Sequence, residues 1–369
     1  MVNDKRLFYA SCFALITTAF SFSIRAGVMP QLEEQLGLSA TQLGFINQMW
    51  FWGFPISMII GGLVYRKVGG SRIMQFAFFA HAVGIVLTIF AGSYTILLLS
   101  SLLIGLGNGC TEAACNPMIA DAYEGNQMSK MMNRFHMWFP GGILVGSLLS
   151  QGMTSLNMSW QMQVGFILIP TVIYAFLFLG QSWPEAKTEE EASLSGNFSS
   201  MLTPLFIFMM ICMGFTAVSE FAPNQWVPLT LEGSGATPML VLALTFGVMA
   251  IARYFGGAAV AQFNTTGVLL GSAILATLGL FLLSSASGAM VYVAAVVFGL
   301  GIAYFWPNMI GFVAEHIPKS GAIGLSIVGA MGMFASGLVQ PIFGGIIDSN
   351  RAELAAEGLS GTALDVATG

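Results

Sequence analysis

Long apolar runs dominate this chain and constrain its fold more than any other feature. Hydrophobic residues make up 56% of the 369 residues and charged residues only 8%, against about 25% in ordinary soluble domains. A soluble globule cannot cover that much apolar surface with polar groups. Each run is about 20 residues long, which is the length of a helix that crosses a bilayer. The sequence therefore predicts an all-α polytopic membrane protein and excludes soluble enzymes, nucleic-acid-binding proteins and disordered chains.

Eleven of these runs are predicted to span the membrane as helices. They lie at about residues 7–28, 43–65, 73–92, 94–120, 135–155, 161–182, 201–230, 238–261, 266–286, 289–313 and 321–347. The runs are continuous rather than alternating stretches of about ten residues, which argues against a strand barrel. The first run follows two basic residues like a signal sequence, but its length and the spans behind it indicate a retained helix.

Basic residues predict the orientation of the spans, because they are enriched in cytoplasmic loops. With a cytoplasmic N-terminus, most of the lysines and arginines fall in cytoplasmic segments: Lys5, Arg6, Arg66, Lys67, Arg72, Lys130, Arg134, Lys187 and Lys319. Arg351 falls outside, whereas Arg25 and Arg253 lie within spans. The expected location is the plasma membrane, of the bacterial inner-membrane type, with the N-terminus in the cytoplasm.

A polar segment divides the spans into two sets. Residues 183–200 (WPEAKTEEEASLSGNFSS) lie between the sixth and seventh spans and are interpreted as a solvated cytoplasmic linker. The predicted units are an N-terminal six-helix bundle at 1–182, this linker, a C-terminal bundle with five helices at 201–349, and a polar tail at 350–369. The tail suits an external loop before a twelfth helix, so we expect a truncated chain.

A weak internal repeat supports two related bundles. An offset of 195 residues places Gly61-Gly62 on Gly256-Gly257 and Arg25 on Glu220. Small residues are common in membrane helices because they allow close packing, so one match alone says little. Together with the linker, the matches predict two pseudo-symmetric bundles in parallel repeat, a substrate site near the midplane between them, and alternating access.

Charged groups inside the spans are candidates for function, because a charge is costly in hydrocarbon. They are Arg25, Glu112, Glu220 and Arg253. Glu112 lies near the middle of the fourth span, where a carboxyl that loads and unloads protons is favoured over a structural ion pair. Asn116 shares its helix face, and Pro117 leaves the Ala113 carbonyl without a backbone donor.

The other three charges leave alternatives open. Arg25 and Glu220 lie in the outer parts of their spans, where an interfacial and a functional position are equally consistent with the sequence. Arg253 is consistent with a carboxylate contact that locks one conformation, and also with substrate binding. The sequence does not show which acid pairs with which base.

Amides and tryptophans gather at the same depths as these charges. The candidate substrate-binding residues are Asn116, Arg25, Gln48, Asn224, Trp226, Trp306 and Asn308. Amides hydrogen-bond hydroxyl groups and an indole packs against the C–H face of a pyranose, so the set suits a neutral polyol. Trp160 and Trp183 are instead expected in interfacial belts. The three histidines (His81, His136 and His316) are interpreted as structural.

The sequence contains no known catalytic motif, phosphate-binding loop or metal-ligand spacing. The four cysteines lie in apolar runs and are interpreted as packing residues. We therefore expect no enzyme activity, no cofactor and no metal. The expected partners are a small-molecule substrate, protons and the lipid bilayer, with no nucleic acid and a monomeric chain. Without a phosphate loop, any pumping is driven by an ion gradient.

The spans resemble the major facilitator superfamily over essentially the whole chain. Residues 61–72 (GGLVYRKVGGSR) are similar to the signature of that superfamily between helices 2 and 3, although Tyr65 stands where the signature has an acid and the spacing to the glycine is one residue longer. The residues assigned to structure or gating are Arg253, Pro117, Gly61, Gly62, Arg66, Gly69 and Arg72.

Within that superfamily the chain most resembles the fucose–galactose–glucose proton symporters. The run GLGNGCTEAACNP in the fourth span is similar to the Gly-rich stretch that leads into Glu-x-Ala-x-Asn-Pro in that family, and the seventh and eighth spans also follow its pattern. The resemblance implies proton coupling through Glu112, with Glu220, and sugar binding through Asn116. The predicted function is therefore proton-coupled symport of a small polar solute, with a monosaccharide as the first choice.

Arg25 departs from that pattern. The acid of the sugar symporters in helix 1 is absent, and Arg25-Ala26 precede Val28-Met29-Pro30-Gln31. An arginine in helix 1 with a glutamate in helix 4 also resembles the organic-anion symporters of the superfamily, where the arginine is associated with carboxylate substrates. A carboxylate–proton symporter that uses Arg25 is therefore the alternative, and an uncoupled facilitator is the second alternative.

Overall fold

The computed structural model describes residues 3–184 and 199–358, and every long regular element in these ranges is an α-helix. The spanning helices are α1 (Asp4–Leu36), α2 (Ala40–Val68), α3 (Gly70–Ile89), α4 (Tyr94–Ala122), α5 (Gly125–Ser155), α6 (Trp160–Phe178), α7 (Pro204–Thr230), α8 (Pro238–Tyr254), α9 (Gly256–Ser285), α10 (Met290–His316) and α11 (Gly321–Ala356). Nine helical stretches in the described ranges are long and apolar enough to cross a membrane; α5 and α8 fall short. The all-α membrane fold is confirmed, and the predicted count of eleven holds roughly.

Two of these helices are interrupted where proline removes a backbone hydrogen bond. α6 consists of Trp160–Gly165 and Leu168–Phe178, and α10 consists of Met290–Ile302 and Phe305–His316. Pro170 lies just after the first break, and Pro307 lies four residues after Ala303, which is in the second. Because proline cannot donate to the carbonyl four residues earlier, the Ala303 carbonyl is free for another donor.

Two helices begin about ten residues earlier than the apolar pattern predicts. α5 starts at Gly125 rather than near 135, because its first turns are polar and escape a hydropathy criterion. α9 starts at Gly256 rather than near 266 and bends at Asn264, whose φ is 55°. The Asn264 side chain accepts the Gly267 N–H at 2.8 Å and so begins the second, apolar part of the helix.

The first six helices are called the N-bundle and the last five the C-bundle. Gly105 of α4 lies against α2 and Gly299 of α10 lies against α8, where an added Cβ would stand 2.2 and 2.6 Å from backbone oxygens. Two residues later, Gly107 lies against α3 and Gly301 lies against α9. The fourth helix of each bundle (α4 or α10) therefore packs closely against the second and third helices of the same bundle, and its glycines allow this close approach.

Hydrogen bonds and an ion pair join the two bundles at one end. We call this end distal; it carries the turn between α1 and α2, and the opposite end carries Asp4. The Asp348 carboxylate of α11 accepts the Ala40 and Thr41 N–H groups at 2.9 Å each and the Thr41 hydroxyl at 2.6 Å. Arg351 forms an ion pair with Glu33 at the same end. The C-bundle thus caps the beginning of α2, whose first N–H groups need external acceptors.

The predicted unit boundaries remain predictions. Most of the linker, at 185–198, and the end of the tail, at 359–369, lie outside the described residues. The beginning of the predicted tail is helical rather than a loop, since α11 continues through Arg351 to Ala356. The distal contacts of Asp348 and Arg351 explain this extension, because they anchor a polar segment that hydropathy alone assigns to solvent.

Candidate functional site

Arg25 of α1 points at α7 across the interface between the bundles. Its Nε and Nη2 donate to the Gln225 Oε1 at 3.1 and 2.7 Å, and the Gln225 amide nitrogen donates to the Phe22 carbonyl at 3.1 Å. The guanidinium carbon lies 4.4 Å from the centre of the Trp50 ring, within cation–π range. Arg25 is only 8% exposed, so it is buried rather than interfacial.

The Arg25 charge lacks a compensating carboxylate among the residues that the structure describes. One of its terminal nitrogens, Nη1, is buried without a hydrogen-bond partner. Taking a cation out of water costs several kcal/mol unless an opposite charge compensates it. The position therefore carries an unbalanced positive charge that an anionic ligand would neutralise.

A small cavity adjoins Arg25 within the N-bundle. It has a volume of about 30 Å³ and is lined by Trp50 and by residues with hydroxyl groups, including Ser21 and Ser101. That volume is close to the share of one water molecule in the liquid. A hexose-sized solute does not fit beside Arg25 in this conformation, so the surrounding helices must separate before one binds.

Glu220 of α7 and Arg253 of α8 form a buried ion pair within the C-bundle. Arg253 Nη2 lies 3.2 Å from Glu220 Oε1, and the Glu220 side chain is 1% exposed. Arg253 Nε also donates to the Ala303 carbonyl at 2.9 Å, which is the carbonyl that Pro307 leaves free in α10. The pairing left open by the sequence is therefore Arg253 with Glu220, and Glu220 is buried rather than interfacial.

Glu112 and Asn116 of α4 form a separate polar pair. The Asn116 amide nitrogen donates to Glu112 Oε2 at 2.7 Å, so the two side chains share a face as the spacing predicts. Glu112 is half-buried, and the Asn116 Oδ1 is buried without a partner. Proton coupling through Glu112 stays a prediction.

Gln340 is a polar residue of the interface that sequence reasoning missed. Its Oε1 accepts the Trp226 indole N–H at 2.9 Å and the Asn47 amide at 3.5 Å, which joins α7, α2 and α11. The sequence does contain a pattern that could have identified Gln340: an amide directly before a proline in an apolar run, as in Asn116-Pro117. Of the predicted binding residues, Trp226 lies in this contact.

The remaining predicted binding residues have separate surroundings and do not form one cluster with Trp226. Asn224 turns back to its own helix and donates to the Glu220 carbonyl at 2.5 Å, and Gln48 is buried. The Trp306 ring lies 6.0 Å from the Phe221 ring. The Asn308 amide nitrogen is buried and has no hydrogen-bond partner within the described part of the chain.

The residues of the loop signature lie at the end of the molecule opposite the distal end, and half of them are exposed. Gly61 packs closely on α4, where an added Cβ would stand 2.8 Å from the Ala113 side chain, whereas Gly62 faces open space. Gly69 has a φ of 84° and turns the chain from α2 into α3, which its missing side chain allows. Arg66 and Arg72 are exposed. Their gating roles stay predictions.

Trp160 differs from expectation. It is 1% exposed and donates its indole N–H to Gln35 at 3.1 Å, so it does not belong to an interfacial belt. His81, in the middle of α3, is fully buried and bonds to side chains of α4 and α6. Trp183 stacks on Phe178 with ring centres 5.5 Å apart.

Comparison with known proteins gives a family match across most of the chain. The family model of the Major Facilitator Superfamily matches residues 11–349. The chain is 24% identical over 357 residues to the hexuronate transporter of Bacillus subtilis, which covers 86% of this chain and 82% of that protein. It is 25% identical over 170 residues to the probable anion transporter 6, chloroplastic, of Arabidopsis thaliana, covering 45% of this chain but only 31% of that protein.

Solved structures share the fold at low sequence identity. A bacterial homologue of the human lysosomal transporter Spinster, in an inward-facing and unoccupied conformation, superposes with a TM-score of 0.78 at 16% identity, covering 99% of this chain and 88% of that one. The fucose:proton symporter of E. coli superposes with a TM-score of 0.65 at 17% identity, covering 98% and 94%.

Proposed function

The chain belongs to the major facilitator superfamily of membrane transporters, and from that premise we propose that it is a proton-coupled transporter of small hydroxylated carboxylates, such as sugar acids. The bundles rock against each other to give alternating access, as in other transporters built from two repeats. The match to a transporter family also separates this chain from the enzymes.

The observation that carries this proposal is the uncompensated charge of Arg25. Its guanidinium is buried, bonded to a neutral amide and seated on the Trp50 ring, with a terminal nitrogen left unpaired. A carboxylate neutralises such a group through charge-assisted and bidentate hydrogen bonds. A neutral sugar leaves the charge uncompensated. The similarity to a hexuronate transporter, whose name describes a sugar carrying a carboxylate, supports the same class of substrate.

Hydroxyl groups of the substrate have candidate partners near the interface. Asn116 Oδ1 and Asn308 Nδ2 are an acceptor and a donor that are both buried without partners in the described part of the chain. Buried polar groups are normally hydrogen-bonded, so unpaired ones are candidates for contact with a ligand or water. These amides suit the hydroxyl groups of a sugar acid as well as those of a neutral sugar.

Proton coupling is assigned to Glu112 because its bonded partner is neutral. The Glu220 carboxylate, by contrast, is bonded to the Arg253 guanidinium. Glu112 bonds only to the Asn116 amide among its described side-chain partners and is half-buried. We therefore place the coupling role on Glu112. Glu220, the other predicted coupling residue, is better suited to holding Arg253.

A neutral monosaccharide is the second candidate substrate. The cluster of amides and indoles around Gln340 and Trp226 favours it, because these groups recognise hydroxyl groups and sugar faces without charge. In that case Arg25 serves only to bond α1 to α7 through Gln225. The two candidates thus differ in what they require of Arg25.

A matched pair of ligands separates these candidates. D-glucuronate and D-glucose differ only at C6, which is a carboxylate in one and a hydroxymethyl group in the other. We would measure the Kd of each for the purified protein and the uptake of each into proteoliposomes under a proton gradient. Glucuronate binding at least tenfold tighter than glucose, with uptake that depends on the gradient, supports the proposal. Equal or tighter glucose binding overturns it in favour of the neutral sugar, and binding of neither overturns the sugar-based class.

A further inference from the structure

A buried chain of hydrogen bonds runs through the N-bundle and ends beneath Arg25. His81 Nδ1 lies 2.9 Å from the Tyr174 hydroxyl, and His81 Nε2 lies 2.9 Å from Asn108 Oδ1. The Asn108 amide nitrogen lies 3.5 Å from Ser21 Oγ, which also accepts the Trp50 indole N–H at 2.9 Å. The five side chains come from five different helices and are at most 2% exposed.

The bonds of this chain form a consistent order of donors and acceptors. The Asn108 amide nitrogen donates to Ser21, so its oxygen accepts the N–H at His81 Nε2. His81 Nδ1 then has no hydrogen and accepts the Tyr174 hydroxyl. Ser21 donates its own hydrogen to the Thr18 carbonyl at 2.8 Å. These directions fix one tautomer of a neutral histidine.

Space for the imidazole is provided by a glycine. An added Cβ at Gly107 of α4 would stand 2.4 Å from His81 Cδ2, so a larger residue there would displace the ring. An apolar side chain at position 81 would fill the same space without needing any hydrogen bond. A buried polar network has to be fully satisfied to be tolerated, and one that is satisfied rigidifies its surroundings.

This chain of hydrogen bonds fixes the orientation of the Trp50 ring. The face of that ring in turn contacts the Arg25 guanidinium. A cation is attracted to the face of an indole, so the rotation of the ring matters to the contact. Ser21 fixes that rotation through the indole N–H and lies one helical turn before Arg25 on the same face of α1. The distance from the guanidinium carbon to the ring centre is 4.4 Å.

We propose that His81 and Asn108 are positioning residues for substrate binding: acting through Ser21, they hold the Trp50 indole and thereby orient the Arg25 guanidinium toward the carboxylate of the substrate. This inference rests on the proposed function for the carboxylate, but its first part, the control of Trp50 by His81, does not. His81 is thus more than a packing residue of α3.

The test without ligand measures the indole N–H resonance of Trp50 by NMR, assigned by its loss in Trp50→Phe. His81→Gln and Asn108→Ala change groups that do not touch the indole, and both are expected to shift this resonance. The matched control is Gln35→Ala, which removes the partner of the buried Trp160 instead. An unshifted Trp50 resonance in both folded variants overturns the proposal, whatever the ligand is.

The test with ligand is a double-mutant cycle on glucuronate binding. Ser21→Ala is expected to raise the Kd about fivefold, the size of one lost neutral hydrogen bond, with little change in the maximal transport rate. In Trp50→Phe, which keeps an aromatic face but has no N–H, the same serine change is expected to have no further effect. An equal effect in both backgrounds, or none in either, overturns the proposal. Shifted Trp50 resonances together with no glucuronate binding by the unmodified protein identify the proposed function as the part that fails.

Discussion

The N-bundle and the C-bundle each contain an arginine and a glutamate within their spans, but they arrange them differently. In the C-bundle, Arg253 and Glu220 bond to each other at 3.2 Å. In the N-bundle, Arg25 bonds to the Gln225 amide and Glu112 bonds to the Asn116 amide. Arg253 and Glu220 of the C-bundle therefore neutralise each other. Arg25 and Glu112 of the N-bundle instead each bond to a neutral amide.

This difference indicates a division of labour between the bundles. An ion pair that is bonded in place holds α7, α8 and the break in α10 together, because Arg253 also binds the Ala303 carbonyl. Charges that rest on amides are available to ligands, since an amide gives up a hydrogen bond more readily than an opposite charge does. We infer that the N-bundle supplies the anion site and the proton site, and that the paired charges of the C-bundle are structural.

The largest expected effect comes from removing the titratable group of the N-bundle. Glu112→Gln keeps the Asn116 contact possible but cannot carry a proton, so we expect accumulation of substrate against a gradient to disappear while exchange stays within about twofold. The measurement is uptake into proteoliposomes with and without a proton gradient. Glu315→Gln, an exposed carboxyl at the end of α10, is the matched control. Accumulation that persists in Glu112→Gln removes the coupling role.

The second prediction concerns the paired charges. Glu220→Gln leaves Arg253 buried without a counter-charge and is expected to lower stability by about 3–5 kcal/mol, measured as a fall in the thermal unfolding midpoint in detergent. Glu220→Gln combined with Arg253→Met removes both charges and is expected to recover most of the loss. If the double variant is as unstable as the single one, the pair does more than neutralise charge, and the contrast between the bundles weakens.

The third prediction tests the anion site. Arg25→Gln is expected to raise the Kd for glucuronate about 100-fold, the equivalent of 2–3 kcal/mol for hydrogen bonds to a charged group. Arg25→Lys keeps the charge without the planar fork and is expected to lose about tenfold. Isothermal titration of the purified variants gives both values, with the exposed Arg134→Gln as control. A Kd unchanged within twofold in Arg25→Gln would falsify the carboxylate proposal.

The sequence predicts the spans well because hydrocarbon imposes one requirement, about 20 apolar residues, on each of them. The sequence also predicts contacts within one helix, because helix geometry is regular. Glu112 and Asn116 are four residues apart and bond to each other. The fold class and the Glu112–Asn116 pair can thus be predicted from the sequence alone.

Contacts between helices could not be predicted in this way. A helix that is apolar on all sides has no stripe to define its rotation about its own axis, so the direction of a single polar residue is undetermined. Arg253 meets Glu220 from 33 positions away, and Asp348 meets Thr41 from 307. The internal repeat aligns Arg25 with Glu220, but the structure pairs Arg25 with Gln225 one and a half turns later. These pairings follow from packing of the whole bundle.

The smallest expected effect comes from Asp348, an acid of the C-bundle that bonds to the N-bundle. Asp348 accepts three hydrogen bonds at the beginning of α2, where a negative charge also interacts favourably with the helix dipole. Asp348→Asn removes the charge and is expected to weaken the distal contact by about 1 kcal/mol, which shifts the population of distal-open molecules about fivefold. Distances between spin labels at the exposed positions 34 and 357 report this shift, with Glu353→Gln on the same helix as control. Unchanged distances in Asp348→Asn would mean that apolar packing of α2 on α11, rather than this carboxylate, holds the two bundles together at the distal end.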